Sequence, residues 1–251
     1  MEVRAKKFLG QHFLKDENIA RQIAESLTGR TSHVLEIGPG MGVLTKYLHA
    51  NELLDFHAIE IDSESVVYLH DHYPKLHVIE GDFLALNSSE LFTQPFAVIG
   101  NFPYNISSQI LFKVFDNRNQ IPEVVGMFQK EVAERVAAKP GSKTYGILSV
   151  LLSAFYDIEY LFTVHEHVFN PPPKVKSAVI RLRRNDVDRL ECDEALFTKV
   201  VKIGFNQRRK TLRNALKQLG MNMDEVPADL LAKRAEQLSV ADFVTITQKV
   251  K

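Results

Sequence analysis

The chain has one cysteine, Cys192, in 251 residues, which excludes an intramolecular disulfide and any site built on several thiolates. It lacks an apolar run near the ~20 residues that a bilayer-crossing helix requires. Its basic, polar start lacks a signal-peptide core. The expectation is a soluble protein of a reducing, cytoplasmic compartment. Net charge is also missing, since 31 Lys+Arg offset 31 Asp+Glu. That balance conceals a segregation. Residues 1–169 hold 14 Lys+Arg and 21 Asp+Glu (net −7), residues 170–220 hold 13 and 5 (net +8), and residues 221–251 hold 4 and 5 (net −1). A second positive cluster, Arg4, Lys6, Lys7 and Lys15, opens the chain. Such asymmetry points to a polyanion surface on one part of the molecule.

What is present is the composition of an ordinary soluble protein, 45% hydrophobic and 25% charged. Strand-like runs recur at His33–Ile37, Phe56–Ile61, Leu76–Ile79, Phe96–Ile99, Val124–Gln129, Ile158–Val164 and Ala178–Leu182. Helical patterns separate most of them, starting with Ile19, Ile23 and Leu27 behind an Asp16 cap. This alternation predicts an α/β fold with a parallel, doubly wound sheet and an antiparallel strand at its end. After Arg184 the pattern turns helical, with stripes Leu196/Val200/Ile203 and Leu212/Ala215/Leu216/Leu219. Two domains are expected, 1–185 with a basic N-terminal segment 1–15, and a small all-α domain 186–251.

Three of the strands end in polar groups suited to one ligand. Val34-Leu-Glu-Ile-Gly-Pro-Gly-Met-Gly42 is a strand followed by a glycine turn in which Gly38 and Gly40 let a ligand approach the backbone. Gly42 falls one residue too early for the dinucleotide fingerprint, and Glu36 stands two residues before Gly38, which argues against a pyrophosphate. Glu60 ends the next strand 20 residues after Gly40, where a carboxylate can accept from both ribose hydroxyls. Asp82, after the third, could accept from an adenine amine. A fourth strand runs into Gly100-Asn-Phe-Pro-Tyr-Asn-Ile-Ser107. Asn101 offers an amide oxygen, Pro103 a carbonyl and Tyr104 an aromatic face. Those groups suit a flat heterocycle with an exocyclic amine, and adenine fits.

The Glu-x-Gly-x-Gly-x-Gly turn resembles that of S-adenosylmethionine-dependent methyltransferases. With it, the Asn-Phe-Pro-Tyr loop resembles the target-base loop of N6-adenine methyltransferases. Phe8-Leu-Gly-Gln-His-Phe-Leu14 resembles the segment that opens ribosomal RNA adenine methyltransferases and closes over the cofactor, which adds Gln11, His12 and Leu14 to the candidate cofactor residues. Gly204-Phe-Asn-Gln-Arg-Arg-Lys-Thr-Leu-Arg-Asn214 resembles the basic helix of the small-subunit (16S) ribosomal RNA adenine dimethyltransferases. The resemblance covers essentially the whole chain. It implies a Rossmann-like S-adenosylmethionine-dependent methyltransferase sheet with a small all-α C-terminal domain, and no metal. It implies transfer of two methyls to N6 of each of two adjacent adenosines in the 3′-terminal hairpin of 16S rRNA. The partner would be a small ribosomal subunit or its late precursor, met by a monomer without membrane contact.

In that setting Asn101, Pro103 and Tyr104 would handle the target base, with Phe169, in Phe-Asn-Pro-Pro-Pro-Lys-Val-Lys-Ser177, as a second stacking face. Lys174, Lys176, Arg208, Arg209, Lys210 and Arg213 would reach RNA. Two positions depart from the family pattern: His12 stands where Asn is usual and Phe102 where Leu is usual. The bulk of Phe102 is expected to tighten the room for a second methyl. Two rivals are an enzyme of the macrolide-resistance type, acting on large-subunit rRNA, and a non-catalytic assembly factor; a dehydrogenase is a distant third.

Overall fold

A computed structural model of the chain describes residues 3–87, 91–217 and 220–250, so Leu219 of the second helical stripe lies outside the described residues. The strands are β1 Phe13–Leu14, β2 His33–Ile37, β3 Asp55–Glu60, β4 His77–Glu80, β5 Ala97–Asn101, β6 Glu123–Gln129, β7 Tyr156–Val164, β8 Phe169–Asn170 and β9 Ser177–Arg184. Seven form one sheet in the order β4-β3-β2-β5-β6-β9-β7. The run from β4 to β6 is parallel, and β9 joins β6 antiparallel. β2 and β5 are nearly all buried, as strands covered on both faces must be, and read as continuous apolar runs. The order reverses between β2 and β5. Beside that switch the carboxyl ends of the strands open a crevice, where ligands bind in open α/β sheets.

β1 and β8 carry too short an apolar pattern to be read from sequence. They pair with each other, Phe13 with Asn170 and Leu14 with Phe169. That pairing lays the N-terminal segment across the carboxyl ends of the main strands.

The chain divides into two compact units, residues 1–133 with 158–184, and residues 134–157 with 185–251. The second unit therefore takes in more than the segment after 186. The apolar helix Ile147–Ser153 packs on the helices Glu194–Asn206 and Val240–Lys249, and its buried Val150, Leu151 and Leu152 join the same helical core. Within that unit Phe197, Val200, Leu212, Leu231 and Phe243 are fully buried. Gly204 keeps two helices close: a Cβ there would lie 3.1 Å from Leu212. No helix among the described residues is long and apolar enough to cross a membrane.

Candidate active site

The crevice is built by four loops and the N-terminal segment. β2 ends in the glycine turn, where Gly40 takes a left-handed φ of 56° and a Cβ would lie 2.9 Å from the ring of Phe13. Only glycine lets the turn and the N-terminal segment approach so closely. Glu60, at the end of β3, is 3% exposed and accepts from the backbone N–H of Gly40 at 3.0 Å and of Asp62 at 2.9 Å. Burial raises its pKa, and those two N–H donors oppose the rise. Asp82 is exposed beyond β4 and folds its own loop by accepting from the Leu84 N–H at 2.8 Å. Lys113 reinforces this loop by donating to the carbonyl of Leu84 at 2.9 Å.

Two adjoining cavities share Leu9, Gly38, Glu60, Ile61 and Pro103. One, of about 120 Å³, adds Ile37, Asp82, Phe83 and Ile106. The other continues past Gly40 to Gln11, His12 and Asn101. The donor set fits S-adenosylmethionine. Apolar walls would take the purine, Glu60 the ribose hydroxyls and Asp82 the adenine amine, while the glycine turn leaves room for the amino-acid end.

Glu36 and Leu14 are placed elsewhere. Glu36 is 2% exposed, lines neither cavity and accepts from the Thr45 hydroxyl at 2.6 Å. Burial pushes its pKa up to about 8. Leu14 lies in the hydrophobic core.

Around Asn101 the N-terminal segment sets the polarity. The Asn101 amide nitrogen donates to the His12 carbonyl at 2.9 Å, which leaves its Oδ1 as the acceptor. The Pro103 carbonyl takes one N–H, from Ile106 at 3.3 Å, and keeps a second lone pair. The Tyr104 hydroxyl and that of Ser177 share a hydrogen bond of 2.5 Å. A third cavity, about 440 Å³, opens beside Tyr104 and His12 and is walled by Pro171, Pro172 and Pro173, with Lys7 and Lys174 also in its lining.

Phe102 and Phe169 differ from expectation. Phe102 is 1% exposed, and its ring lies over a glycine pair, Gly100 on β5 opposite Gly126 on β6. A Cβ on Gly126 would lie 2.3 Å from that ring. The missing side chains accommodate the ring, and Phe102 still lines the cavity beside Asn101 and Pro103. Phe169 is 1% exposed within the core that holds Leu14 and Val164, so its ring presents no open face.

The basic segment is not a helix throughout. Helix Glu194–Asn206 ends, residues 207–211 turn, and a short helix Leu212–Leu216 follows. Arg208 is engaged: its Nε donates to Glu236 at 2.5 Å and its Nη2 to the Lys143 carbonyl. Arg209, Lys210 and Arg213 are exposed, as are Lys174 and Lys176 on the first unit. The bond from Arg208 also brings Lys143 beside the turn, a neighbour that only the long-range contact reveals.

Sequence reasoning also missed Asp62. Buried at 2%, it caps the helix Ser63–His72, pairs with Lys6 and accepts from Gln11 at 3.3 Å. It anchors the N-terminal segment to the end of β3. Its one sequence signal is the cap position before Ser63.

A mostly parallel sheet with this glycine turn and acidic strand ends fits the class of S-adenosylmethionine-dependent methyltransferases, to which the family and structural matches belong. The model of a family described as ribosomal RNA adenine dimethylase matches residues 2–251. The chain is 61% identical to ribosomal RNA small subunit methyltransferase A of Cytophaga hutchinsonii, over 98% of this chain and 97% of that protein. It is 58% identical to the protein of that name from Bacteroides thetaiotaomicron, over 99% and 95%. Among solved structures, a dimethyladenosine transferase from Plasmodium falciparum matches with TM-score 0.76 and 28% identity over 94% of this chain and 96% of that one. The 23S rRNA methyltransferase ErmE matches with TM-score 0.71 and 27% identity, over 94% and 99%. The chain belongs to the ribosomal RNA adenine dimethylase family and is an rRNA methyltransferase. The two solved structures carry different names, a dimethyladenosine transferase and a 23S rRNA methyltransferase, whereas both curated relatives are named small subunit methyltransferases.

Proposed function

We propose that this enzyme dimethylates N6 of two adjacent adenosines in the 3′-terminal hairpin of 16S rRNA, in a small subunit or a late precursor of one. In this reading the enzyme works as a monomer in the cytoplasm, where ribosomal subunits are assembled. The carrying observation is the Asn101 amide, whose nitrogen is bound to the His12 carbonyl so that Oδ1 faces outward as an acceptor.

When bound, S-adenosylmethionine supplies an electrophilic methyl on a sulfonium. The protein's part is to deliver a nucleophile. An adenine amine is weak because its lone pair is delocalised into the ring. Acceptors at Asn101 Oδ1 and the Pro103 carbonyl take its hydrogens and favour a more tetrahedral nitrogen. Tyr104 stacks on the base, and the cavity beside it receives a base splayed from a loop. Reaction then needs approach to within ~3–3.5 Å in line with the bond that breaks. Arg209, Lys210, Arg213, Lys174 and Lys176 bind phosphates and fix the register.

Nucleoside mass spectrometry tests this after incubation with S-adenosylmethionine and unmethylated small subunits. The expected product is N6,N6-dimethyladenosine at two neighbouring 3′-hairpin positions. Modification of large-subunit RNA alone would move the enzyme to the other branch.

A further inference from the structure

The Asn-Phe-Pro-Tyr loop explains why a base should stack on Tyr104, but not what keeps that ring in place. A tyrosine at the lip of a cavity has two rotatable side-chain bonds and can turn away from its ligand. Here the ring is held from two sides. Its hydroxyl, at the far end of the lever, meets the hydroxyl of Ser177 at 2.5 Å. Ser177 is itself anchored by the sheet: fully buried, it is the first residue of β9 and pairs with Gln129 of β6. The His12 ring lies 5.2 Å from the Tyr104 ring, tilted by 30°, and its Nδ1–H donates to the Pro171 carbonyl at 2.8 Å.

We propose that Ser177 is a positioning residue for base recognition, holding the Tyr104 ring as a preset stacking face for the target adenine. This rests on the adenine-methylation reading above. A ring already fixed loses no further freedom when the base arrives, so the benefit falls on the step that seats the base. Phosphate contacts made elsewhere set the grip on the particle, so KM for the subunit should not register the loss.

Ser177→Ala and Tyr104→Phe remove the same hydrogen bond from opposite ends and leave the ring present. With unmethylated small subunits, each should lower kcat by about fivefold, the double variant no further, with KM for subunits and cofactor affinity unchanged. A side-chain signature runs in parallel on protein labelled at tyrosine Cζ. The resonance that vanishes in Tyr104→Phe should shift in Ser177→Ala. A wild-type kcat in Ser177→Ala, or losses that multiply in the double variant, would overturn the proposal. Should Ser177→Ala fail to fold, an unchanged kcat in Tyr104→Phe overturns it equally. If the native enzyme does not methylate small subunits, the substrate reading fails instead. The Cζ resonance then decides alone: a shift supports the tether, and an unmoved resonance rejects it.

Discussion

At Asn101, one hydrogen bond decides which end of an amide faces the crevice. With Nδ2 donated to the His12 carbonyl, the side chain is an acceptor toward the crevice. Asn101→Ala should therefore lower kcat by roughly 10²–10³-fold, with cofactor affinity within about twofold, measured by turnover and calorimetry. Glu36 shows how a motif residue can serve the fold instead. Its carboxyl titrates near pH 8 because burial disfavours the charge, while in the unfolded chain it keeps the ordinary carboxylate value. The folded state therefore holds the proton longer. Stability contributed by this group falls as pH rises from the ordinary value to about 8, and the penalty is complete above that. Glu36→Gln keeps an acceptor for Thr45 and removes the charge. It should stabilise the protein at pH 9 by on the order of 3 kcal/mol and change little at pH 4, in denaturant titrations at both values. Spacing from strand ends made the placement of Glu60, Asp82 and Asn101 at the crevice legible, but not that of Glu36, which the same motif put there and the fold buries against Thr45. The sequence left Ser177 and Asp62 unread, since their partners, Tyr104 and Lys6, lie 73 and 56 residues away.

Elements read well where a period was sustained. All seven main strands, the antiparallel β9 among them, follow from runs of apolar residues between helical patterns. β1 and β8 escaped because two residues carry no period; only their mutual pairing defines them. The basic segment escaped differently, since charge density gives no backbone direction and the turn at 207–211 is fixed by Arg208 reaching Glu236 and Lys143. This divides the cations by role. Arg209→Glu with Lys210→Glu should weaken small-subunit binding about tenfold or more at moderate salt while leaving cofactor affinity alone, whereas Arg208→Ala should chiefly lower the thermal midpoint. Between β5 and β6, the pair Gly100–Gly126 and the ring of Phe102 are one packing unit. Gly126→Ala should cost about 2 kcal/mol or more by overpacking, and adding Phe102→Leu should recover part of it. Additive losses in a chemical-denaturation cycle would show that the ring and the glycines do not share one space.

For the whole molecule, the charge ledger matters more than the total. A net charge of zero gives no general attraction to RNA, so the proposed binding would depend on the exposed cations of the positive stretch 170–220, since Lys6, Arg181, Arg183 and Arg208 are paired with carboxylates. Subunit affinity should fall linearly with the logarithm of salt concentration, and the slope should shrink in Arg209→Glu/Lys210→Glu as phosphate contacts are lost. Equal slopes for wild type and variant, in binding isotherms at several salt concentrations, would deny those cations a phosphate role.

The N-terminal segment lies between the two cavities. Gln11 and His12 line both the cofactor-side cavity and the one beside Tyr104, and the His12 carbonyl holds the amide that faces the base. If a ligand on one side orders this segment, it prepares the other, and donor and base would then share a single coupling free energy. Linkage of that kind is reciprocal: whatever factor the cofactor adds to RNA affinity, RNA must add to cofactor affinity. Such linkage would let one peptide group favour a full complement of substrates over either alone.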